Sequence, residues 1–152
     1  MAKYINKFTT VPKELFRLNN GPAISLRDRT IKKLGSYDVL TEAGKVKAKA
    51  ANPQTYAAPN GASLRPNTPT QQKLVKDFKG ASIVVYAIPE GTKLPSDLVI
   101  VHESNDHYSL QPAKDMDLKE LNTKINNFLT TYGKRMTKSE WQDEYPKATE
   151  TS

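Results

Sequence analysis

The sequence predicts a mixed α+β fold, with a β-sheet built from the middle of the chain and two helices near its end. Residues 81–114 form the most apolar and β-branched part of the chain. They contain three consecutive strand patterns, at about 82–88, 98–103 and 107–111, separated by turns rich in Gly, Asn and Asp. This segment therefore predicts the core of the sheet.

Two helices are predicted after that sheet. Apolar residues recur with helical spacing from Leu118 to Tyr132, and Gly133 follows the last of them. The run begins with Asp117-Leu118-Lys119-Glu120, which has the form of an N-terminal cap. Thr137-Lys138-Ser139-Glu140 repeats that form and predicts a second, shorter helix.

A chain of 152 residues has room for one domain with a real core. We expect this domain to span residues 1–146 and the tail 147–152 to be frayed. The 10 prolines and 7 glycines, with an apolar fraction of only 37%, predict long loops. The absence of cysteine excludes disulfides, thiolate zinc sites and cysteine nucleophiles.

The net charge of +7 is unevenly distributed. Residues 1–114 contain 17 basic and 9 acidic side chains, whereas residues 115–152 contain 6 and 7. Such a basic body favours anionic partners, which include nucleotide phosphates, RNA and acidic proteins. The sequence before residue 52 includes seven clustered basic residues that we interpret as a solvated face, with anion binding as the alternative: Arg27, Arg29, Lys32, Lys33, Lys45, Lys47 and Lys49.

The first half of the chain has weaker patterns. Residues 11–18 predict a strand that carries Arg17, either on its solvent face or at a cleft where it binds phosphate. Residues 23–27 are compatible with a strand, and residues 41–50 with a helix broken at Gly44 or an exposed strand.

Residues 52–72 predict a long loop, with disorder over 64–72. Long loops often carry function, so Tyr56, Ser63 and Arg65 are candidates for the rim of a site.

The two histidines, His102 and His107, flank the predicted hairpin turn at 104–106. Histidine is the side chain best suited to acid–base chemistry near neutral pH. A metal site is a weak interpretation, because Glu103 and Asp106 are near but no third ligand stands at a diagnostic spacing. We therefore predict no metal site.

No stretch reaches the roughly 20 apolar residues of a membrane helix, and the start of the chain lacks an apolar run of signal-peptide length. We expect a cytoplasmic protein in the cell that makes it, without a cleaved signal peptide.

Five short motifs carry a resemblance to a known family: Ile88-Pro89-Glu90-Gly91-Thr92, Leu94-Pro95-Ser96-Asp97-Leu98, His107-Tyr108, Pro112-Ala113-Lys114 and Asn127-Phe128. In order and spacing they resemble the small cytotoxic effectors exported by type VI secretion systems, specifically the exported-effector-two (Tse-two) family. The fold of that family is similar to that of ADP-ribosyltransferase toxins. The resemblance therefore implies a split antiparallel or mixed sheet around a cleft, and NAD as a substrate.

Two upstream motifs extend the resemblance. Leu15-Phe16-Arg17 resembles the aromatic-arginine pair with which ADP-ribosyltransferases grip the phosphates of NAD. Gly61-Ala62-Ser63, after Tyr56-Ala57-Ala58-Pro59, is similar to a loop that ends in glycine-threonine-serine in the family, with Ala62 at the threonine position.

The resemblance implies roles for five residues. Arg17 would anchor the pyrophosphate, Tyr56 and Tyr108 would help to bind NAD, and Tyr108 would stack against or shape the nicotinamide pocket. Ser63 would position a strand or a ribose hydroxyl, and His107 would hydrogen-bond a ribose or take a proton.

The glutamate that ADP-ribosyltransferases place before the Pro-x-Gly-Thr turn has no counterpart, because Val84, Val85 and Tyr86 occupy that run. Glu90, Glu103 and Asp106 are the nearby acids that could replace it, and Glu103 is the preferred candidate.

As a toxin, the protein is expected to act on a target in the cytoplasm of another cell, and a cognate immunity protein, acidic in charge, is expected as its partner. Two other functions stay open from sequence. One is a toxin that binds or cuts RNA with His102 and His107 as an acid–base pair. The other is a basic interaction domain without catalysis.

Overall fold

The computed structural model describes residues 5–28, 37–80 and 82–151. It contains antiparallel sheets and three α-helices, which confirms the predicted α+β class. The strands are β1 Asn6–Phe8, β2 Leu15–Asn20, β3 Lys45–Val46, β4 Ala62–Leu64, β5 Ile83–Ile88, β6 Leu98–Ser104, β7 His107–Pro112, β8 Met116–Asp117 and β9 Lys134–Thr137. The helices are α1 Pro69–Asp77, α2 Leu118–Tyr132 and α3 Lys138–Glu144.

Within the described ranges the strands form two larger sheets and one small one, all with antiparallel pairing. The first sheet has the order β1-β6-β7-β4, the second β2-β5-β9, and β3 pairs with β8. The two larger sheets meet where Phe16 and Arg65 exchange two backbone hydrogen bonds of 2.8 and 3.1 Å. This junction places the beginning of β2 beside the end of β4.

The main core lies between the two larger sheets and α2. Each strand of the sheets alternates its side chains, so Ile100 and Leu110 of the first sheet and Tyr86 of the second point into this core. Helix α2 adds Ile125 and Phe128 from its apolar face. Burial of these faces against each other holds the sheets at their junction.

Two smaller clusters cover the outer faces of the sheets. Phe16 packs edge-on against Trp141 of α3, with ring centroids 5.5 Å apart, on the far side of the second sheet. Tyr56 packs with Val99 and Val101 on the far side of the first sheet. This second cluster lies on the same face of the first sheet as Ser63, because Val101 and Ser63 both pair with Ser109.

The three predicted central strands are present as β5, β6 and β7, with bounds within two residues of the prediction. They do not form one sheet, however, because β5 pairs with β2 and β9, while β6 pairs with β7. The connection 89–97 crosses between the sheets and is held to residues 9–11 by backbone hydrogen bonds, among them Val11 N–H to Thr92 O at 2.8 Å. Gly91, at φ +86°, allows this turn.

Helix α2 occupies the segment with helical spacing, and its N-cap Asp117 accepts a hydrogen bond of 2.7 Å from the backbone of Glu120. Helix α3 begins with a complete capping box between Thr137 and Glu140. Among the described residues, no helix combines the length and apolarity that a membrane crossing needs.

The expected strand at 23–27 is wrong, because residues 23–26 have no strand partner and bind α2 instead. Asn126 Oδ1 accepts from the backbone of Ile24 at 2.6 Å, and Asn122 Oδ1 accepts from that of Leu26 at 3.0 Å. The broken helix at 41–50 is also wrong. Positive φ values at Ala43 and Gly44 form a tight turn, after which the chain continues as β3.

Disorder at 64–72 is wrong as well, because this segment ends β4 and begins α1. Thr68 caps α1 by accepting from the backbone of Gln71 at 3.2 Å, and its hydroxyl donates to Asp106 Oδ2 at 2.5 Å. Residues of the tail that was expected to fray contact Asn67, whose carbonyl accepts from Thr149 and Glu150. The basic residues Arg29, Lys32 and Lys33 lie outside the described residues.

Candidate functional site

Arg17 and Ser63 meet at the junction of the two larger sheets. Arg17 Nη1 donates to the backbone carbonyl of Ser63 at 3.3 Å, and Nη2 donates to Asn19 Oδ1 at 3.4 Å. The Asn19 amide is itself oriented, because its Nδ2 donates to the carbonyls of Gly21 and Ala23. Arg17 Nε is buried and has no hydrogen-bond partner among the described residues.

A cleft of about 420 Å³ opens beside this pair, and three arginines line it. Arg27 is paired with Asp38 at 3.2 Å, and Arg65 lies 3.8 Å from Asp106. Within the part of the chain that the structure describes, Arg17 has no carboxylate at ion-pair distance. Of the three arginines, Arg17 is therefore the one whose charge no described carboxylate directly neutralises.

Burial of the Arg17 guanidinium lowers its pKa, partly opposed by attraction to Asp38, and nearby Arg27 lowers it slightly further. Burial likewise lowers the pKa of Arg65, partly opposed by Asp106. The shifts mean that these cations have lost solvation which water would otherwise supply. An anionic ligand in the cleft would replace that lost interaction.

Ser63, His107 and Glu103 are connected in series on one face of the first sheet. Ser63 lies opposite Ser109 of β7, so it shares a face with Ser109 and with His107 two residues earlier. The Ser63 hydroxyl is 2.9 Å from His107 Nε2, and His107 Nδ1 is 2.9 Å from Glu103 Oε1. Ser63 lines the cleft, so His107 is linked to the cleft through the serine hydroxyl.

The side chains of Tyr56 and Gln111 hold the Glu103 carboxylate in place through two hydrogen bonds in series. The Tyr56 hydroxyl donates to Glu103 Oε2, and Gln111 Nε2 donates to the Tyr56 hydroxyl at 2.6 Å. Burial, followed by the hydrogen bond to Glu103, raises the pKa of Tyr56. These three side chains are almost inaccessible to solvent, so they fix the carboxylate behind His107 rather than in the cleft.

The two tyrosines suggested for NAD binding lie away from the cleft. Tyr56 is buried beneath Glu103 instead of standing at the rim. Tyr108 follows His107 on β7 and therefore points to the opposite face of the sheet, where its ring stacks on His102 with centroids 4.3 Å apart. Neither side chain lines the cleft that contains Arg17.

The two histidines are not an acid–base pair. His102 lies on the face of Tyr108, and its Nε2 contacts the carbonyl of Asn105 at 2.7 Å, whereas His107 faces Ser63. In the described ranges, no group of three or more His, Asp or Glu side chains is arranged to hold a metal ion. The RNA-cutting mechanism proposed from His102 and His107 has no support in this arrangement.

Sequence reasoning missed Gln111 and Asn60, whose side-chain amides lie 3.5 Å apart under the site. The period of two along β7 could have found Gln111, because His107, Ser109 and Gln111 share one face. Asn60 had no such signal, since it lies in a loop and its amide donates to the distant carbonyl of Lys47 at 2.9 Å.

Comparison with known protein families places this chain in the class of ADP-ribosyltransferase toxins. The match is to the family described as Tse2 ADP-ribosyltransferase toxin, and it covers residues 13–141. Since this is most of the chain, the protein belongs to that family, which confirms the resemblance found in the sequence. Searches of curated proteins and of solved structures gave no match.

Proposed function

We propose that this protein is a toxin that transfers the ADP-ribosyl group of NAD to a target inside the recipient cell. The observation that supports this proposal best is Arg17, a half-buried cation without a carboxylate partner among the described residues, at the junction of two sheets. Membership of the Tse2 family supports the same reaction class. In this proposal the junction is the cleft around which the sheet of an ADP-ribosyltransferase is split.

Arg17 is the proposed anchor of the NAD pyrophosphate. A guanidinium presents a planar fork of donors that matches phosphate oxygens. The Nε–H group of Arg17 is buried and donates to no other group among the described residues. Arg27 and Arg65 line the same cleft and add positive potential even though each has a carboxylate partner. The three arginines together fit a ligand with more than one phosphate.

NAD, when bound, supplies the ADP-ribosyl group and a nicotinamide leaving group. Positive charge develops on the ribose as nicotinamide leaves, so the chain must hold the ribose and supply a base for the attacking acceptor. We assign the ribose contact to Ser63, which lines the cleft, and the base to His107, which is hydrogen-bonded to Ser63.

Glu103 does not take the place of the missing glutamate on the reacting side. Its carboxylate lies between His107 and Tyr56 and is only 3% exposed. We therefore propose that Glu103 is a positioning residue, which orients the His107 imidazole through its contact with Nδ1. Tyr56 extends that support, and Tyr108 has no role at the cleft in this proposal.

The direct test measures nicotinamide release from NAD together with NAD binding by calorimetry. Arg17→Ala should weaken NAD binding by at least tenfold, and Arg17→Lys should restore it only in part, because lysine lacks the bidentate fork. Arg135→Ala is the matched control, since Arg135 is exposed on β9 and does not line the cleft. Equal binding by Arg17→Ala and the parent protein would remove the basis of the proposal.

Cells that express the toxin provide a second readout. We expect their NAD to fall, or a cell protein to acquire ADP-ribose, while bulk RNA stays intact. Degraded RNA with unchanged NAD and no ADP-ribosylated protein would instead favour the nuclease alternative. Both measurements should be made on the same culture, with Arg17→Ala as the inactive reference.

An immunity protein is the proposed partner, and the charge of +7 indicates that its contact surface is acidic. Co-expression with the neighbouring gene product should yield a complex that weakens as salt concentration rises. Recovery of the free toxin alone would argue against such a partner.

A further inference from the structure

The side chains behind Ser63 form a series of polar contacts that extends into the protein interior. Gln111 donates to Tyr56, Tyr56 donates to Glu103, and the other oxygen of Glu103 contacts His107. Burial of this series is nearly complete at Tyr56, Glu103 and Gln111, which are 1%, 3% and 0% exposed. A ribose contact from Ser63 alone would not need such support.

A carboxylate beside His107 Nδ1 favours the imidazole proton on that nitrogen. Glu103 Oε2 accepts from Tyr56, and the other oxygen, Oε1, lies 2.9 Å from His107 Nδ1 and accepts no hydrogen bond from the described residues. With the proton on Nδ1, Nε2 is the unprotonated nitrogen, and the Ser63 hydroxyl at 2.9 Å is in position to donate to it. Serine, histidine and a carboxylate in this order are the arrangement that activates a serine nucleophile.

We propose that Ser63 is an activated nucleophile and that, while no target occupies the cleft, it accepts the ADP-ribosyl group itself. This inference rests on the proposed function for the identity of the donor, NAD. It assigns the toxin a covalent self-modification on a residue that lines its own cleft. A modified Ser63 would block that cleft, so the reaction also limits the activity of toxin that has no target.

The chemical step balances without a further reactant. The Ser63 Oγ–C1′ bond forms as the C1′–nicotinamide nitrogen bond breaks, and nicotinamide leaves with the bonding electron pair. The hydroxyl proton passes to His107 Nε2. Glu103 stabilises the resulting imidazolium from Nδ1. Arg17, which donates to the carbonyl of Ser63 itself, keeps the phosphates of the donor close to this serine.

Ser25 provides an internal comparison. It is exposed and lines the same cleft, but among the described residues its hydroxyl has no hydrogen bond to a histidine. Both serines line the cleft that a ligand would occupy. Among the described residues, only Ser63 of the two lies within hydrogen-bond distance of a histidine that can act as a base. Selective reaction of Ser63 would therefore reflect activation and not accessibility.

The experiment incubates purified full-length toxin with NAD and maps modified peptides by mass spectrometry. We expect one ADP-ribosyl group on Ser63, none on Ser25, and none at position 63 in Ser63→Ala. His107→Gln should lower the rate by roughly 100-fold or more, the range expected for a lost general base. Glu103→Gln should lower the rate of modification by roughly tenfold or more, the effect expected when a carboxylate that orients a histidine is removed.

A fluorophosphonate probe tests the activation of Ser63 without NAD. The Ser63 Oγ–phosphorus bond forms, the phosphorus–fluorine bond breaks with loss of fluoride, and the proton again passes to His107. We expect labelling of Ser63 over Ser25, at a rate that rises with pH in the parent protein and is pH-independent in His107→Gln. Loss of pH dependence is a change that mere misfolding of the site would not mimic when thermal stability is retained.

Two results would overturn the inference in different ways. Steady nicotinamide release without modification of Ser63 would refute self-modification and leave the proposed function standing. Failure of the probe to label Ser63 would refute the activated nucleophile. Labelling by the probe without any nicotinamide release would refute the NAD reaction of the proposed function, and the self-transfer with it, while the activated serine would stand.

Discussion

Tyr56 and Glu103 form a buried hydrogen-bonded pair, joined from tyrosine hydroxyl to carboxylate, at 1% and 3% exposure. The two residues are far apart in sequence, and neither lines the cleft. Their pairing fixes the carboxylate that contacts His107. The rigidity of the candidate site therefore depends on a tyrosine that no ligand would touch.

Tyr56→Phe should destabilise the protein by about 1–3 kcal/mol, the usual cost of leaving a buried polar partner unsatisfied. The variant deprives Glu103 of a donor and Gln111 of an acceptor. Urea denaturation measures the effect. Tyr132→Phe is the control, because Tyr132 is 51% exposed and its replacement should change the free energy of unfolding by less than about 0.5 kcal/mol.

The same tyrosine predicts a loss of stability at high pH. Burial raises the pKa of Tyr56 in the folded protein above the ordinary tyrosine value of about 10. The folded state thus keeps a proton that the unfolded state releases, so the contribution of Tyr56 is full below about pH 10 and is lost as pH rises above it. One retained proton gives a slope of at most about 1.4 kcal/mol per pH unit.

The measurement compares the free energy of unfolding of the parent protein and Tyr56→Phe between pH 8 and pH 11. The difference between the two proteins should be constant below about pH 10 and should shrink above it. Tyr145, whose pKa is also raised by burial, is present in both proteins and drops out of the difference. A difference that stays constant throughout would show that Tyr56 is not protected from ionisation.

Gly61→Ala should shift β4 and inactivate the candidate site. A Cβ at this position would lie 2.2 Å from the backbone oxygen of Leu110, and backbone cannot move aside as a side chain end can. Because Gly61 directly precedes β4, on which Ser63 lies two residues later, the shift should lengthen the contact of Ser63 with His107. We expect a lower melting temperature and at least tenfold slower NAD turnover.

Gly44→Ala is the contrasting variant. Its Cβ would meet nothing within 4 Å, but its φ of +78° disfavours a side chain. This variant should lose about 1 kcal/mol of stability and keep its activity. Equal activity of the Gly61 and Gly44 variants would show that β4 tolerates displacement.

Asn126→Ala should loosen the segment 23–26 and weaken ligand binding in the cleft. Its side chain both accepts from Ile24 N–H at 2.6 Å and donates to Ile24 O at 3.3 Å, and Ala23 and Ser25 of the same segment line the cleft. We expect a loss of about 1–3 kcal/mol in stability, with faster amide exchange at Ile24. Asn127→Ala, at an exposed neighbouring position, should leave both the stability and the amide exchange at Ile24 unchanged.

Local patterns in the sequence were sufficient for the elements whose signals are short-range. The period of two along β5 to β7 and the caps at Asp117 and Thr137 depend only on neighbouring residues, and they specify the strands and the starts of α2 and α3. The same kind of signal was misleading at 23–27, where the alternation of Ile24 and Leu26 indicated a strand that the fold does not contain. Their backbone partners are side chains of α2 about a hundred residues away.

The sequence by itself determined which chemical groups are available: a basic body, the family motifs, and Arg17, Ser63, His107 and Glu103 as candidates. Only the tertiary structure decided how they are used. The pairing of β4 with β7 brings Ser63 to His107, and the alternation of β7 turns Tyr108 away. Burial placed Glu103 behind the histidine, because a carboxylate removed from water requires donors, which the folded chain supplies from the distant Tyr56.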